Sequence, residues 1–138
     1  MKIGRITLSD RASQGIYQDQ SGPEIERVVS ALFQETISWQ RSLLPDDIQQ
    51  IESILKHFAD IEKCHLIITT GGTGPSARDV TPEATQKVIE KELPGFGETM
   101  RAHSFQTVKT AILSRATAGI RGHSLIINLP GNPKAIQA

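Results

Sequence analysis

Residues 66–84, Leu-Ile-Ile-Thr-Thr-Gly-Gly-Thr-Gly-Pro-Ser-Ala-Arg-Asp-Val-Thr-Pro-Glu-Ala, restrict this chain more than any other stretch. Leu66, Ile67 and Ile68 form a short continuous apolar run, the pattern of a strand covered on both faces by helices. Gly71, Gly72 and Gly74 follow, and without Cβ atoms they permit positive φ and let backbone N–H groups turn toward an anion. Thr81-Pro82-Glu83 then reads as an N-cap, a first-turn proline and a first-turn acid, so a helix is predicted to start there with its free N–H groups facing the loop. Strand, glycine turn and helix start make an anion-binding corner.

Known phosphate motifs fit this corner poorly. A Walker loop needs a lysine before its Ser/Thr, and none is present. Gly72-Thr-Gly74-Pro-Ser-Ala77 satisfies a dinucleotide fingerprint by spacing. However, it does not follow the first strand, Pro75 interrupts it, and the helix begins too late to be opened by it. A purely structural connection would need neither Arg78 nor Asp79, whose charges favour a binding role.

The rest of the chain supplies alternating strands and helices. Ile3 to Leu8 reads as a first strand, followed by a polar loop through Ser9, Asp10 and on to Gly22. Ser21-Gly-Pro-Glu24 reads as a capping box ahead of Ile25, Val28, Val29, Leu32 and Phe33, one face of a helix. Ile37 to Leu44 alternates in the manner of an edge strand and stops at Pro45. Asp46-Asp47 opens a helix whose apolar face is Ile48, Ile51, Ile54, Leu55 and Phe58, with Asp46 placed as its N-cap or as a site residue at a strand's carboxyl end. Leu93 to Gly97 reads as a turn and Glu98 to about Gln106 as a weaker helix. Thr107 to Ala118 has no clear pattern, and Ser114 to Gly122 reads as a second polar segment. Leu125 to Leu129 is a further buried strand that runs into Pro130-Gly131-Asn132-Pro133, with a helix expected near Lys134. Such alternation predicts one three-layer α/β/α sandwich on a mostly parallel sheet, with a site on the edge where the strand ends at Ser9, Asp46, Gly71 and Pro130 converge.

Length and charge limit the possibilities further. A chain of 138 residues is expected to form a single domain, and its 15 basic and 15 acidic residues cancel, which argues against a general nucleic-acid surface. The lone cysteine, Cys64, excludes an internal disulfide framework and reads as a small buried residue before the third strand. No segment approaches the ~18 apolar residues of a membrane span, so a cytoplasmic protein is expected. The four histidines lack zinc-ligand spacing, and a Gly-x-Ser-x-Gly elbow is absent. Asp46 and Asp79 remain as hard oxygen donors suited to Mg²⁺, which together with a glycine anion loop supply the parts of a nucleotidyl or phosphoryl transfer site. Arg115 and Arg121 read equally as phosphate ligands or as solvated charges.

Ser9-Asp-Arg-Ala-Ser13, Tyr17-Gln-Asp19, Leu44-Pro-Asp46, Thr69 to Pro75, Arg78 to Ala84, Pro94 to Gly97, Ile112 to Arg115 and Leu129 to Pro133 together resemble the MogA-type molybdopterin adenylyltransferase family, which is related to the gephyrin G domain. The match runs through essentially the whole chain in order. The resemblance implies that AMP passes from ATP to the phosphate of molybdopterin with Mg²⁺ present, releasing pyrophosphate. It implies Asp46 and Asp79 as catalytic and metal-holding carboxylates. It also implies that Ser9, Asp10, Gly71, Gly72, Thr73, Gly74, Ser114, Gly119, Pro130, Gly131 and Asn132 line the substrate site. A homotrimer is usual in that family, and contact with other molybdenum cofactor enzymes is a further implication. A non-catalytic molybdopterin-binding or scaffolding domain of the same fold is the alternative. Family members continue past the Pro-Gly-Asn-Pro segment, so a shortened C-terminal end is expected of a chain that stops at Ala138.

Overall fold

The computed structural model describes residues 1–131. Six strands form one sheet in the order β2-β1-β3-β6-β5-β4. β1 (Lys2–Leu8), β2 (Ser38–Leu44), β3 (Leu66–Thr70) and β6 (Ser124–Leu129) run parallel. β5 (Ala118–Arg121) pairs antiparallel with both β6 and the two-residue β4 (Lys91–Glu92). The helices are α1 (Asp10–Ser13), α2 (Ser21–Leu32), α3 (Ile48–Lys56), α4 (Thr81–Val88) and α5 (Pro94–Phe105), joined by a π-helical turn at His57–Ile61 and a 3-10 turn at Lys109–Leu113.

Alternation along the parallel strands divides the core into two layers. Ile3 and Ile68 meet Ile25 and Val29 of α2 on one face. Ile6, Leu8, Ile67 and Ile126 meet Ile51, Leu55, Ala84 and Val88 of α3 and α4 on the other. Successive strand residues point to opposite faces, so each apolar run feeds both layers and fixes the three-layer sandwich. Gly4 leaves room for the second layer, since a Cβ there would stand 2.5 Å from the Phe58 ring.

β2 occupies the edge its half-exposed alternation foretold. From β1 the chain crosses outward to β2 and then back over to β3, so the order reverses at the crevice beyond the carboxyl ends of β1 and β3. Open α/β sheets keep their ligands at such a point. Register places those ends level, with Leu8 opposite Leu44, Thr7 opposite Thr70, and Thr70 opposite Leu129.

Several local expectations are corrected. Ser21 lies inside α2, not at its cap; the first turn is held by Asp19, whose Oδ1 accepts from the Gly22 N–H at 3.0 Å. Asp47, not Asp46, caps α3 and accepts from the Gln50 N–H at 3.0 Å. Val80, not Thr81, is the N-cap of α4. The polar loop after β1 begins with the short α1, capped by Ser9. Pro94 opens α5 directly, so the stretch read as a turn is helical. The segment read as polar and irregular contains β5, which returns on β6 through a two-residue turn with Gly122 at φ 57°. The helix expected near Lys134 falls outside the described residues.

Candidate active site

Thr7, Leu8 and Ser9 from the end of β1, Tyr17 to Ser21, Asp46, Thr70 to Gly72, and Gly131 enclose a cavity of about 400 Å³. Its floor is the glycine corner. Gly71 and Gly72 adopt φ of 97° and 69°, conformations that favour glycine. A Cβ on Gly71 would meet the Leu8 carbonyl oxygen at 2.3 Å, so the turn also needs glycine for close passage across β1.

The backbone polarity of the corner is organised by its neighbours. The Gly71 carbonyl accepts from Thr81 Oγ1 at 2.9 Å and the Gly72 carbonyl from the Thr81 N–H at 3.1 Å. The Thr73 carbonyl accepts from the Arg115 N–H at 2.8 Å and the Gly74 carbonyl from Arg115 Nε at 2.9 Å. With four successive carbonyls drawn into protein contacts, the N–H groups of Gly72, Thr73 and Gly74 have no acceptor among the described residues. Three consecutive amides without an acceptor are donors available to an anion at this turn.

Three amides credited to the corner or its helix start by sequence are already engaged. The Gly71 N–H donates to the Leu129 carbonyl at 3.1 Å. At the start of α4, the Thr81 and Ala84 amides are paired and Pro82 has no N–H, which leaves Glu83 as the one unpaired amide of that turn among the described residues. The anion donors are therefore loop amides far more than a helix end. Arg115 acts as a brace, donating also to the Asp79 carbonyl at 2.7 Å and pairing with Glu83. Arg121 pairs with Asp60 and donates to the Val88 carbonyl, well away from the corner.

Asp46 meets the corner from β2. Its N–H donates to Asp10 Oδ1 at 2.9 Å, and its Oδ2 accepts from the Asp10 N–H at 3.2 Å. Asp46 Oδ1 is buried and has no hydrogen-bond partner. It lies against Gly72, where a Cβ would stand 3.0 Å from it. Burial pushes the Asp46 carboxyl above the usual carboxylate range, aided by the negative charges of Asp10 and Asp79 and opposed by the Asp10 amide contact and Arg78. Asp10 is shifted the other way, held below its ordinary value by Arg78 and by the Asp46 N–H.

Asp79 reaches the far side of the same loop. Its Oδ2 accepts from the Ser76 N–H at 3.0 Å and would lie 2.9 Å from a Cβ on Gly74. The structure thus brings both acids to the glycine corner, Asp46 at Gly72 and Asp79 at Gly74. An unpartnered buried carboxylate oxygen beside a second carboxylate is a donor set that fits Mg²⁺, which takes one or two protein oxygens and completes its shell with water and phosphate. Among the described residues no cluster of three or more His, Cys, Asp or Glu could hold a metal by itself.

Other residues read from the sequence are distributed unevenly. Ser9 lines the cavity and its hydroxyl pairs with Tyr17 OH at 2.7 Å. Pro130 accepts through its carbonyl from Thr70 Oγ1 at 2.7 Å, and the Gly131 carbonyl from Ser21 Oγ at 2.9 Å. Thr73, within the loop, and Ser114 do not line the cavity, and their segments are joined by the Arg115 N–H on the Thr73 carbonyl. Gly119 lies apart from it, inside the sheet, where a Cβ would strike Ile89 and the Lys91 carbonyl. Asn132 lies outside the described residues. Sequence reasoning marked Ser21 and Thr81 only as helix caps and passed over Thr70, whereas their hydroxyls tie the corner together by donating to the Gly131, Gly71 and Pro130 carbonyls.

A doubly covered, mostly parallel sheet with a glycine corner at its switch point, faced by two acids, defines an α/β sandwich whose free loop amides suit an anion. Residues 4–138 match the family described as a probable molybdopterin binding domain. The molybdopterin adenylyltransferase of Haemophilus influenzae is 51% identical over 137 residues, spanning 99% of this chain and 70% of that protein. Its counterpart in Helicobacter pylori strain 26695 is 53% identical over 135 residues, spanning 98% and 77%. The crystal structure of the molybdopterin biosynthesis enzyme MoaB from Thermus thermophilus superposes with a TM-score of 0.88 at 39% identity, covering 99% of this chain and 84% of that one. This chain belongs to the molybdopterin-binding domain family of molybdenum cofactor biosynthesis.

Proposed function

We infer that this chain is a molybdopterin adenylyltransferase. A phosphate oxygen of molybdopterin attacks the α-phosphorus of ATP, a new P–O bond forms, the bond to the β-phosphate bridge breaks, and pyrophosphate leaves. The observation that carries this reading is Asp46 Oδ1, buried and unpartnered against Gly72, in a loop whose Gly72, Thr73 and Gly74 amides have no acceptor among the described residues. A buried charge without a partner is costly, and a site retains one where a ligand supplies the partner.

The chain's own groups divide the work. The Gly72, Thr73 and Gly74 amides hold phosphate oxygens, while Gly71, Gly131 and Pro130 shape the floor and Ser9, Tyr17 and Ser21 the wall. Asp46 and Asp79 would hold Mg²⁺, which when bound neutralises phosphate charge. Catalysis here is positioning and electrostatic stabilisation, since phosphoryl-type transfer asks little covalent chemistry of the protein. Asp10 contributes by holding Asp46, and Ser114 through the brace that its neighbour Arg115 makes. Gly119 supports the sheet behind the site.

The chain acts as one domain and assembles as a homotrimer in the cytoplasm. Exposed Phe96 and Phe105 of α5, Val108 after it, and Ile112 and Leu113 of the 3-10 turn are apolar surface available for self-association. No helix among the described residues is long and apolar enough to cross a membrane. Delivery of adenylylated molybdopterin to other molybdenum cofactor enzymes follows from the reaction. A scaffold without turnover is disfavoured by the likeness over nearly the whole chain to molybdopterin adenylyltransferases at 51% and 53% identity.

Asp79→Asn keeps the side-chain shape and the oxygen that accepts from Ser76. AMP transfer is expected to fall at least a hundredfold with the unfolding midpoint unchanged. Undiminished transfer would remove Asp79 from the mechanism.

A further inference from the structure

We infer that Arg78 and Asp10 form a positioning pair that holds Asp46, an inference that rests on the adenylyltransferase reading for its catalytic consequence. Arg78 Nε donates to Asp10 Oδ2 at 2.9 Å and Nη2 to Asp10 Oδ1 at 2.8 Å, a two-pronged contact that fixes the plane of the carboxylate. The same carboxylate accepts the Asp46 N–H, and the Asp10 N–H in turn holds Asp46 Oδ2. Asp46 is thereby gripped at backbone and side chain by one residue, and its other oxygen is left aimed at Gly72.

An Asp10 carboxylate alone beside Asp46 would set two like charges together and favour their separation. Arg78 cancels that charge. It comes from the loop that carries Asp79, so the pair also ties the end of β1 to the segment bearing the second acid. An exposed ion pair contributes little by itself, and the Arg78 side chain is 68% exposed. Its acceptor, however, is shared with a residue of the site, so the pair acts through geometry more than through stability. Arg78 is accordingly a positioning residue that touches Asp10 and reaches the chemistry only through it.

The test compares Arg78→Gln, Arg78→Lys, Asp10→Asn and the double variant. One readout is kcat and KM for AMP transfer; the other is hydrogen exchange at the residue 46 amide in ligand-free, metal-free protein. Arg78→Gln is expected to lower kcat about tenfold, the scale for a partner that orients a ligating group, with KM for ATP changed less than about twofold. Exchange at residue 46 is expected to quicken, Arg78→Lys to recover part of both effects, and the double variant to be no worse than Asp10→Asn alone. Two results would overturn the pair: unchanged exchange at residue 46, or a rise in KM for ATP that is equal with and without Asp10, which would make Arg78 a direct phosphate ligand. Wild-type protein that binds ATP without transferring AMP would sink the functional reading instead, and the exchange data would still judge the pair.

Discussion

Replacing Asp46 by asparagine should make the metal-free protein more stable while destroying its activity. Asp46 Oδ1 is buried without a partner, and a buried unsatisfied polar group costs about 1–3 kcal/mol, more when charged. Asparagine keeps the Oδ that accepts from the Asp10 N–H and removes the charge, but leaves a partnerless amide in place of the partnerless oxygen. The net gain is therefore at the low end, about 1 kcal/mol, or about 3–5 °C in Tm for a domain of this size. The sign of the pH dependence follows from the raised carboxyl pKa in the folded chain. The unfavourable charge is absent below the unfolded value, appears as pH rises between the unfolded and folded values, and is fully present above the folded one. The variant's advantage should thus be complete at pH 8 and vanish under acid conditions. Urea unfolding in EDTA at several pH values measures it. A variant less stable than the parent at pH 8 would mean that Oδ1 makes a favourable contact in the folded protein, and the argument from an orphaned oxygen would fall.

Other substitutions probe the corner and the core. Gly72→Ala places a Cβ 2.3 Å from Thr81 Oγ1 in a left-handed backbone, so loss of that hydrogen bond and backbone strain should together cost about 2–3 kcal/mol in urea unfolding. Asn128→Ala strips partners from Thr69, Thr85 and the Thr117 N–H in a fully buried cluster and should lower stability by about 2–4 kcal/mol, measured the same way. Cys64 is 1% exposed and burial pushes its thiol up to about 11, so it should resist a disulfide reagent at pH 8 until the chain is unfolded.

Legibility tracked how much of each signal was local. The apolar runs of β3 and β6 announced a doubly covered sheet, and the alternation of Trp39, Arg41 and Leu43 announced an edge, because burial is written directly in residue type. β4 and β5 were invisible for the same reason: Lys91-Glu92 and Ala118 to Arg121 are too short for a period, and pairing across the hairpin defines them. Pro94-Gly-Phe-Gly97 looked like a turn by propensity. Yet a Cβ on Gly97 would stand 2.3 Å from the Ala116 carbonyl, so the glycine serves close packing of α5 and not chain reversal. At the site, the glycines and acids were readable, but their division of labour was not. The Leu129 carbonyl takes the Gly71 amide while Thr81 and Arg115 hold the loop carbonyls, and these residues are distant from or unremarkable beside the motif. The sequence offered Asp46 as cap or site residue, and the fold assigns the cap to Asp47, releasing Asp46 for the cavity.

The most direct test is to incubate the purified chain with ATP, Mg²⁺ and molybdopterin and to follow pyrophosphate while identifying the pterin product by mass. Stoichiometric pyrophosphate with adenylylated molybdopterin, lost in Asp46→Asn, is the expected result. Molybdopterin bound without any pyrophosphate released, or release undiminished in Asp46→Asn, would contradict an AMP transfer site built on the glycine corner and its two acids.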